Sequence, residues 1–204
     1  MEGQDYLNQI SASNRPVKTS KGLGGILSSK FLWIGVIGVA AFIMIAMVGS
    51  MLGGGKNSEK ELVLGLKTHA NNTAEVMREY QQFIKSSDLR SSSASLVGVL
   101  SNMGTGLDTF IAENYGEVKL TEKQTAEADE AKEALTNDLF EAKINGILDR
   151  IYAHKMAYEI SLFVNEEANI YDSTKNDRLK EILDESYGSL EILYSKFNDF
   201  SETK

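Results

Sequence analysis

Among the 204 residues, the side chains with most chemistry in them are two histidines, His69 and His154, and 29 carboxylates. An imidazole titrates near neutrality and binds transition metals, while carboxylates serve as acid–base groups or as ligands for hard cations. A helical chain carrying both raises the question of a di-iron centre, which needs Glu-x-x-His on facing helices. Leu66 stands three residues before His69 and Ile151 three before His154, so neither histidine completes that motif. Two histidines and no cysteine also rule out, within one chain, a histidine-rich zinc or copper site and any thiolate chemistry.

The other candidates have simpler explanations. Glu122, Glu127, Asp129, Glu130 and Glu133 form the densest acidic run, but it lacks the spacing and glycine turn of an EF-hand and reads as a solvated helix face. The serines of "SSSAS" sit in neither a G-x-S-x-G elbow nor an S-x-x-K motif. "MLGGGKNS" lacks the spacing of a phosphate-binding loop. "NNT" at Asn71 matches the three-residue glycosylation acceptor pattern, which is short enough to recur by chance. No catalytic group is recognisable, and neither an enzyme nor a cofactor is expected.

What must position these residues is set by hydropathy and charge. From Phe31 to Leu52 the chain has 22 residues without a charge, enough for a helix of roughly 33 Å, about the thickness of a bilayer's hydrocarbon core. Such a segment is predicted to be helical, because lipid offers no partner for backbone N–H and C=O groups. Trp33 stands near its start, where an indole rests among headgroups. The core is too long, and the leading 30 residues too many, for an ordinary cleaved signal, so an uncleaved signal anchor is expected. With no ionisable group inside the span, a channel or pump built by this chain alone is not expected. Gly49 and Gly53 form a G-x-x-x-G that lets two such helices approach closely.

Arg15, Lys18, Lys21 and Lys30 precede the span with no acidic residue after Asp5, whereas Lys56, Glu59, Lys60 and Glu61 on the other side nearly cancel. The positive-inside rule then predicts a cytoplasmic basic tail over 1–30, a cell-membrane span over 31–52, a glycine-rich linker over 53–57 and an extracytoplasmic acidic domain over 58–204. Residues 56–204 hold 17 basic and 27 acidic side chains, a balance that repels nucleic acid. The expected partners are the bilayer, through 31–52, and a protein partner or a second copy of the chain.

The acidic domain reads as all-α. Leu62, Leu66, His69, Thr73, Val76, Tyr80 and Phe83 alternate steps of four and three, as do Leu89, Ser93, Leu96, Leu100, Met103, Leu107 and Phe110, and again Leu179, Leu183, Ser186, Leu190, Leu193, Phe197 and Phe200. The first helix is predicted from Ser58 to Lys85, the second with a cap at Ser87 or Asp88 and an end near Tyr115 and Gly116. Thr121 opens a third region, one helix or two joined near Asn145 and Gly146, whose first half is too polar for a core. Its apolar stripe is read through Phe140, Ile144, Ile147, Ile151, His154 and Tyr158.

Four apolar stripes close most simply into an antiparallel four-helix bundle; an extended coiled coil with 121–143 as stalk is the second architecture. Aligning Leu96 with Leu179 also brings His69 and His154 to equivalent places in two helical hairpins. The functional reading of the two histidines is a pH-sensitive pair; the plainer one is a half-buried histidine bonded to a neighbouring helix. The expected function is therefore a membrane-anchored helical interaction or scaffold protein, with a ligand-sensing bundle that signals through a partner as the alternative. A cysteine placed at Ser11 is expected to resist an impermeant thiol reagent in intact cells and one at Ser201 to react; labelling at Ser11 would reverse the topology.

Overall fold

The computed structural model describes residues 58–200, and every regular element among them is an α-helix. The predicted tail 1–30, the span 31–52 with Gly49 and Gly53, the linker 53–57 and residues 201–204 lie outside the described residues. No helix among the described residues is long and apolar enough to cross a membrane.

Among the described residues there are five helices, the region from Thr121, read as one helix or two, being two: α1 Glu59–Gln81, α2 Ser87–Asn114, α3 Glu122–Ile144, α4 Leu148–Ser173 and α5 Asp177–Asn198. Local chemistry marks most of their ends. The Glu61 carboxylate accepts the Ser58 N–H at 3.1 Å before α1. Ser86 Oγ, one residue ahead of the predicted cap, accepts the Leu89 N–H before α2. Thr121 and Gln124 form a reciprocal capping box at α3, and Asn176 Oδ1 accepts the N–H groups of Arg178 and Leu179 at α5. Gly116 closes α2 at φ 68° and Gly146 closes α3 at φ 72°, a left-handed conformation that glycine adopts without cost.

Four of the helices form a closed ring in which α1 packs on α2, α2 on α5, α5 on α4, and α4 back on α1. All four neighbours in this ring run antiparallel. The hydrogen bond from Tyr115 to Glu59 places the end of α2 beside the start of α1, and Lys85 and Ser86, in the turn after α1, donate to Asp149 at the start of α4. α3 lies outside the ring, against α1 and α4. The bundle was expected, but the region from Thr121 supplies a fifth, outer helix as well as a core one, and α3 is no extended stalk.

Burial follows the stripes of α2 and α5 as far as those helices run, and departs from the other two. Leu89, Ser93, Leu96, Leu100, Met103, Leu107 and Phe110 are all buried, as are Leu179, Leu183, Ser186, Leu190, Leu193 and Phe197. On α1 Leu66, Thr73, Val76 and Tyr80 of the predicted stripe are buried, Leu62 and His69 are partly buried and Phe83, past the helix end, is exposed; Ala70, Met77 and Ile84 beside the stripe are buried too, because a helix touching three neighbours buries a wide face. The third predicted stripe holds only in part: Ile151 is buried and Ile147 and Tyr158 are partly buried, but Phe140 is 52% exposed, Ile144 65%, and His154 is exposed too. Instead α3 buries Leu135, Leu139 and Ala142, and α4 buries Tyr152, Met156, Glu159, Phe163, Glu167 and Ile170 among others. The turn at Asn145–Ile147 resets the helical phase, and one stripe carried across it cannot describe both helices.

The α1–α2 turn is held by a single carboxylate. Asp149, buried, accepts the backbone N–H of Lys85 at 3.0 and 3.1 Å and that of Ser86 at 2.7 Å. Replacing Asp149 with Ala is expected to lower the unfolding free energy by about 2–4 kcal/mol, read from urea unfolding, because two buried donors lose a charged acceptor. A loss under about 0.5 kcal/mol would mean that water serves those donors equally well.

Candidate functional site

His69 projects from the middle of α1 toward α4. Its Nε2 lies 2.8 Å from Glu159 Oε2, and its Nδ1 lies 3.1 Å from Glu166 Oε2 and 3.2 Å from Glu166 Oε1. Seven residues separate the glutamates, two helical turns, which sets both on the face of α4 that meets α1. Between them Phe163 stacks on the imidazole, with ring centroids 4.1 Å apart and an interplanar angle of 27°.

This geometry fixes the protonation state. A neutral imidazole donates from one nitrogen and presents a lone pair on the other, which here would face a carboxylate. Only the imidazolium donates from both. Its side chain is 17% exposed, against 6% for Glu159 and 20% for Glu166, so the charges sit in a poorly screened seam. Burial by itself pulls the imidazole pKa down; attraction to Glu166, hydrogen bonds to both carboxylates and attraction to Glu159 together outweigh it and raise the value to about 10.

His154 is not part of this arrangement. It lies five residues before Glu159 on α4, about 140° around the helix, and is exposed. The predicted histidine pair is thus replaced by one histidine between two glutamates, and the two histidines are not equivalent in the two hairpins. The glutamates escaped the sequence reading because they were counted as surface charge. The stripe Tyr152, Met156, Glu159, Phe163, Glu167 and Ile170, in which acidic residues recur at core positions, is the signal that finds Glu159; Glu166 lies beside that stripe and is not found by it. What the triad does chemically is hold α1 to α4; among the described residues no group of His, Asp and Glu side chains is arranged to hold a metal ion.

The exposed apolar residues lie elsewhere. Phe140 and Ile144, one turn apart on the last part of α3, Phe83, just after α1, and Ile192 and Tyr194 on α5 lie toward the end of the bundle opposite Ser58, while Tyr187 lies midway along α5 and Tyr171 near the other end of α4. Lys143 sits over the Phe83 ring at 3.3 Å, tying that end of α3 to α1. The same end holds a pocket of about 780 Å³ lined in part by Phe83, Lys85, Lys143, Asp149 and Phe200.

Charge divides along the same axis. The half of the bundle nearest Ser58, residues 59–70, 101–133 and 161–188, carries 17 acidic and 8 basic side chains; the other half, 71–100, 134–160 and 189–200, carries 9 and 7. One half is strongly anionic and the other nearly neutral, and exposed aromatics occur in both: Tyr171 and Tyr187 in the first, Phe83, Phe140 and Tyr194 in the second.

No protein-family model matches the chain, and no curated protein or solved structure shows significant similarity to it.

Replacing His69 with Gln is expected to lower the unfolding free energy at pH 7 by about 1–3 kcal/mol, less than for a fully buried pair because the seam keeps some solvent. The histidine's folded value lies above its unfolded one, so its contribution is complete below pH 6.5 and is lost as pH rises through 10. Urea unfolding of both proteins from pH 6 to 10.5 should show the gap closing across that range; a constant gap would contradict the imidazolium.

Proposed function

We propose that the chain is a membrane-anchored interaction module, presenting an acidic helical bundle outside the cytoplasmic membrane and meeting a protein partner with the end of the bundle away from the anchor. The observation that carries this reading is the exposure of Phe140 and Ile144, one turn apart on the last part of α3, and of Phe83 just after α1, all toward the end away from Ser58. Partly exposed aromatic and aliphatic side chains on a nearly neutral surface match the centre of a protein interface, where aromatics are enriched and charges depleted.

The reading explains two otherwise unrelated features. α3 spends two large apolar side chains on solvent, which costs solubility unless something covers them. Its first half spends its charges on water, which suits a face that meets nothing. A second reading, a ligand-sensing bundle that signals through a partner, draws on the pocket at the same end. A small molecule that raised the melting temperature of the full chain would favour it.

A photo-crosslinker at Ile144 is expected to give one dominant protein adduct in intact membranes, identifiable as a partner or a second copy. Substituting Phe140→Ser should remove at least about 90% of it, a loss of 1.4 kcal/mol or more in binding. An equal adduct yield from a probe at Glu117, at the other end, would contradict the proposed face.

A further inference from the structure

Glu167 is a buried carboxylate that the His69 triad does not use. It stands on α4 at 2% exposure, facing α5, with Oε1 2.6 Å from Ser186 Oγ; Oε2 has no hydrogen-bond partner. Ser186 has one hydroxyl proton and three acceptors in reach: Glu167 Oε1, the Leu183 carbonyl at 3.0 Å and the Ile182 carbonyl at 3.2 Å. If Glu167 is ionised, that proton must serve the carboxylate, and the second carboxylate oxygen remains charged, buried and unpartnered. An arrangement of that kind is among the costliest in a protein interior. If Glu167 carries a proton, both difficulties vanish. Its own O–H donates to Ser186 Oγ, the serine donates to a carbonyl of its own helix, and the orphan oxygen is an uncharged C=O.

The surrounding charges act in the same direction. Glu166 on α4 and Asp184 on α5 are both acidic neighbours. From α1 the facing cation is His69, already donating to Glu159 and Glu166. The charged contact from α3 to α4 is Lys155 with Asp138, near the other end of α4. No cation in this set is left to compensate Glu167.

We infer that Glu167 resides in the seam between α4 and α5 as a neutral carboxylic acid donating to Ser186, and that release of its proton to solvent is the step that loosens this seam as the medium turns alkaline. Burial, above all, and repulsion from Glu166 and Asp184 raise the Glu167 pKa to about 7, while the Ser186 hydrogen bond opposes the rise. Because the folded value lies above the unfolded one, the stabilising effect is full below pH 4.5 and is lost as pH rises through 7. The device therefore works within the range a cell's surroundings traverse. It acts on the α4–α5 hairpin, apart from the partner face proposed above.

The test compares the full chain in detergent with Glu167→Gln, which keeps the shape and cannot ionise. Between pH 5 and pH 8 the folding equilibrium constant of the parent is expected to fall roughly 50- to 100-fold relative to the variant, a ratio in which other titrating groups cancel. Parallel profiles for the two proteins would overturn the inference. Infrared spectroscopy of the parent gives an independent reading that needs no variant: a protonated-carboxyl C=O band should be present at pH 6 and gone at pH 8.5. Its absence at pH 6 would overturn the inference equally.

Discussion

In a four-helix ring whose neighbours all run antiparallel, diagonal helices run the same way, and two such helices cannot be joined by a tight turn. α2 and α4 are diagonal here, so the chain must return along the length of the bundle between them. α3 makes that return, its 23 residues covering about 35 Å. Most of what distinguishes the molecule follows. A helix lying outside a completed ring has only one narrow stripe to bury, and α3 buries just Leu135, Leu139 and Ala142. Its remaining surface is free for charge at one end and for Phe140 and Ile144 at the other. Tyr80 Oη, donating to the Thr136 carbonyl at 3.1 Å, and Lys132, paired with Glu75 at 2.8 Å, fasten it to α1.

The same crossover creates an electrostatic problem that the bundle solves with one histidine. α1 and α4 meet beneath α3, and the α4 side of the seam brings Glu159 and Glu166. Two unpaired carboxylates there would repel each other and any acidic neighbour; His69 as imidazolium satisfies both with directional hydrogen bonds while Phe163 covers the ring. Glu167, one residue on, turns to the opposite seam and meets Ser186 instead. Three acidic residues on one helix thus fall into two environments, one with a cation and one without. Away from the seam, the acidity is concentrated in the half of the bundle where α1 starts, a distribution that composition alone conceals.

Much of this was legible in the sequence. The α2 stripe is buried residue by residue as its four-and-three spacing predicts, and so is the α5 stripe from Leu179 to Phe197, whereas Phe200, past the end of α5, is only partly buried. Thr121, Gly116 and the Asn145–Gly146 joint were readable because capping and left-handed turns depend on local chemistry. The phase of α4 was not, since Ile147 and Ile151 looked continuous with Phe140 and Ile144 until the turn at Gly146 is known. With one stripe carried across the turn, His154 seemed inward and Glu159 was not singled out. A charged residue at a core position is recognised only once its partner on another helix is known, and the partner of Glu159 lies 90 residues away.

The proposal to be tested is that the predicted anchor keeps the end of the bundle where α1 starts close to the lipid, leaving Phe140 and Ile144 free for a partner. The most direct measurement places a fluorophore at Glu117 or at Asn145 of the full chain in liposomes containing acidic lipid and reads quenching by headgroup-attached quenchers. The account predicts clear quenching at Glu117 and little at Asn145, a helix length further out. Equal quenching at both positions, as from a bundle lying flat on the membrane, would contradict it.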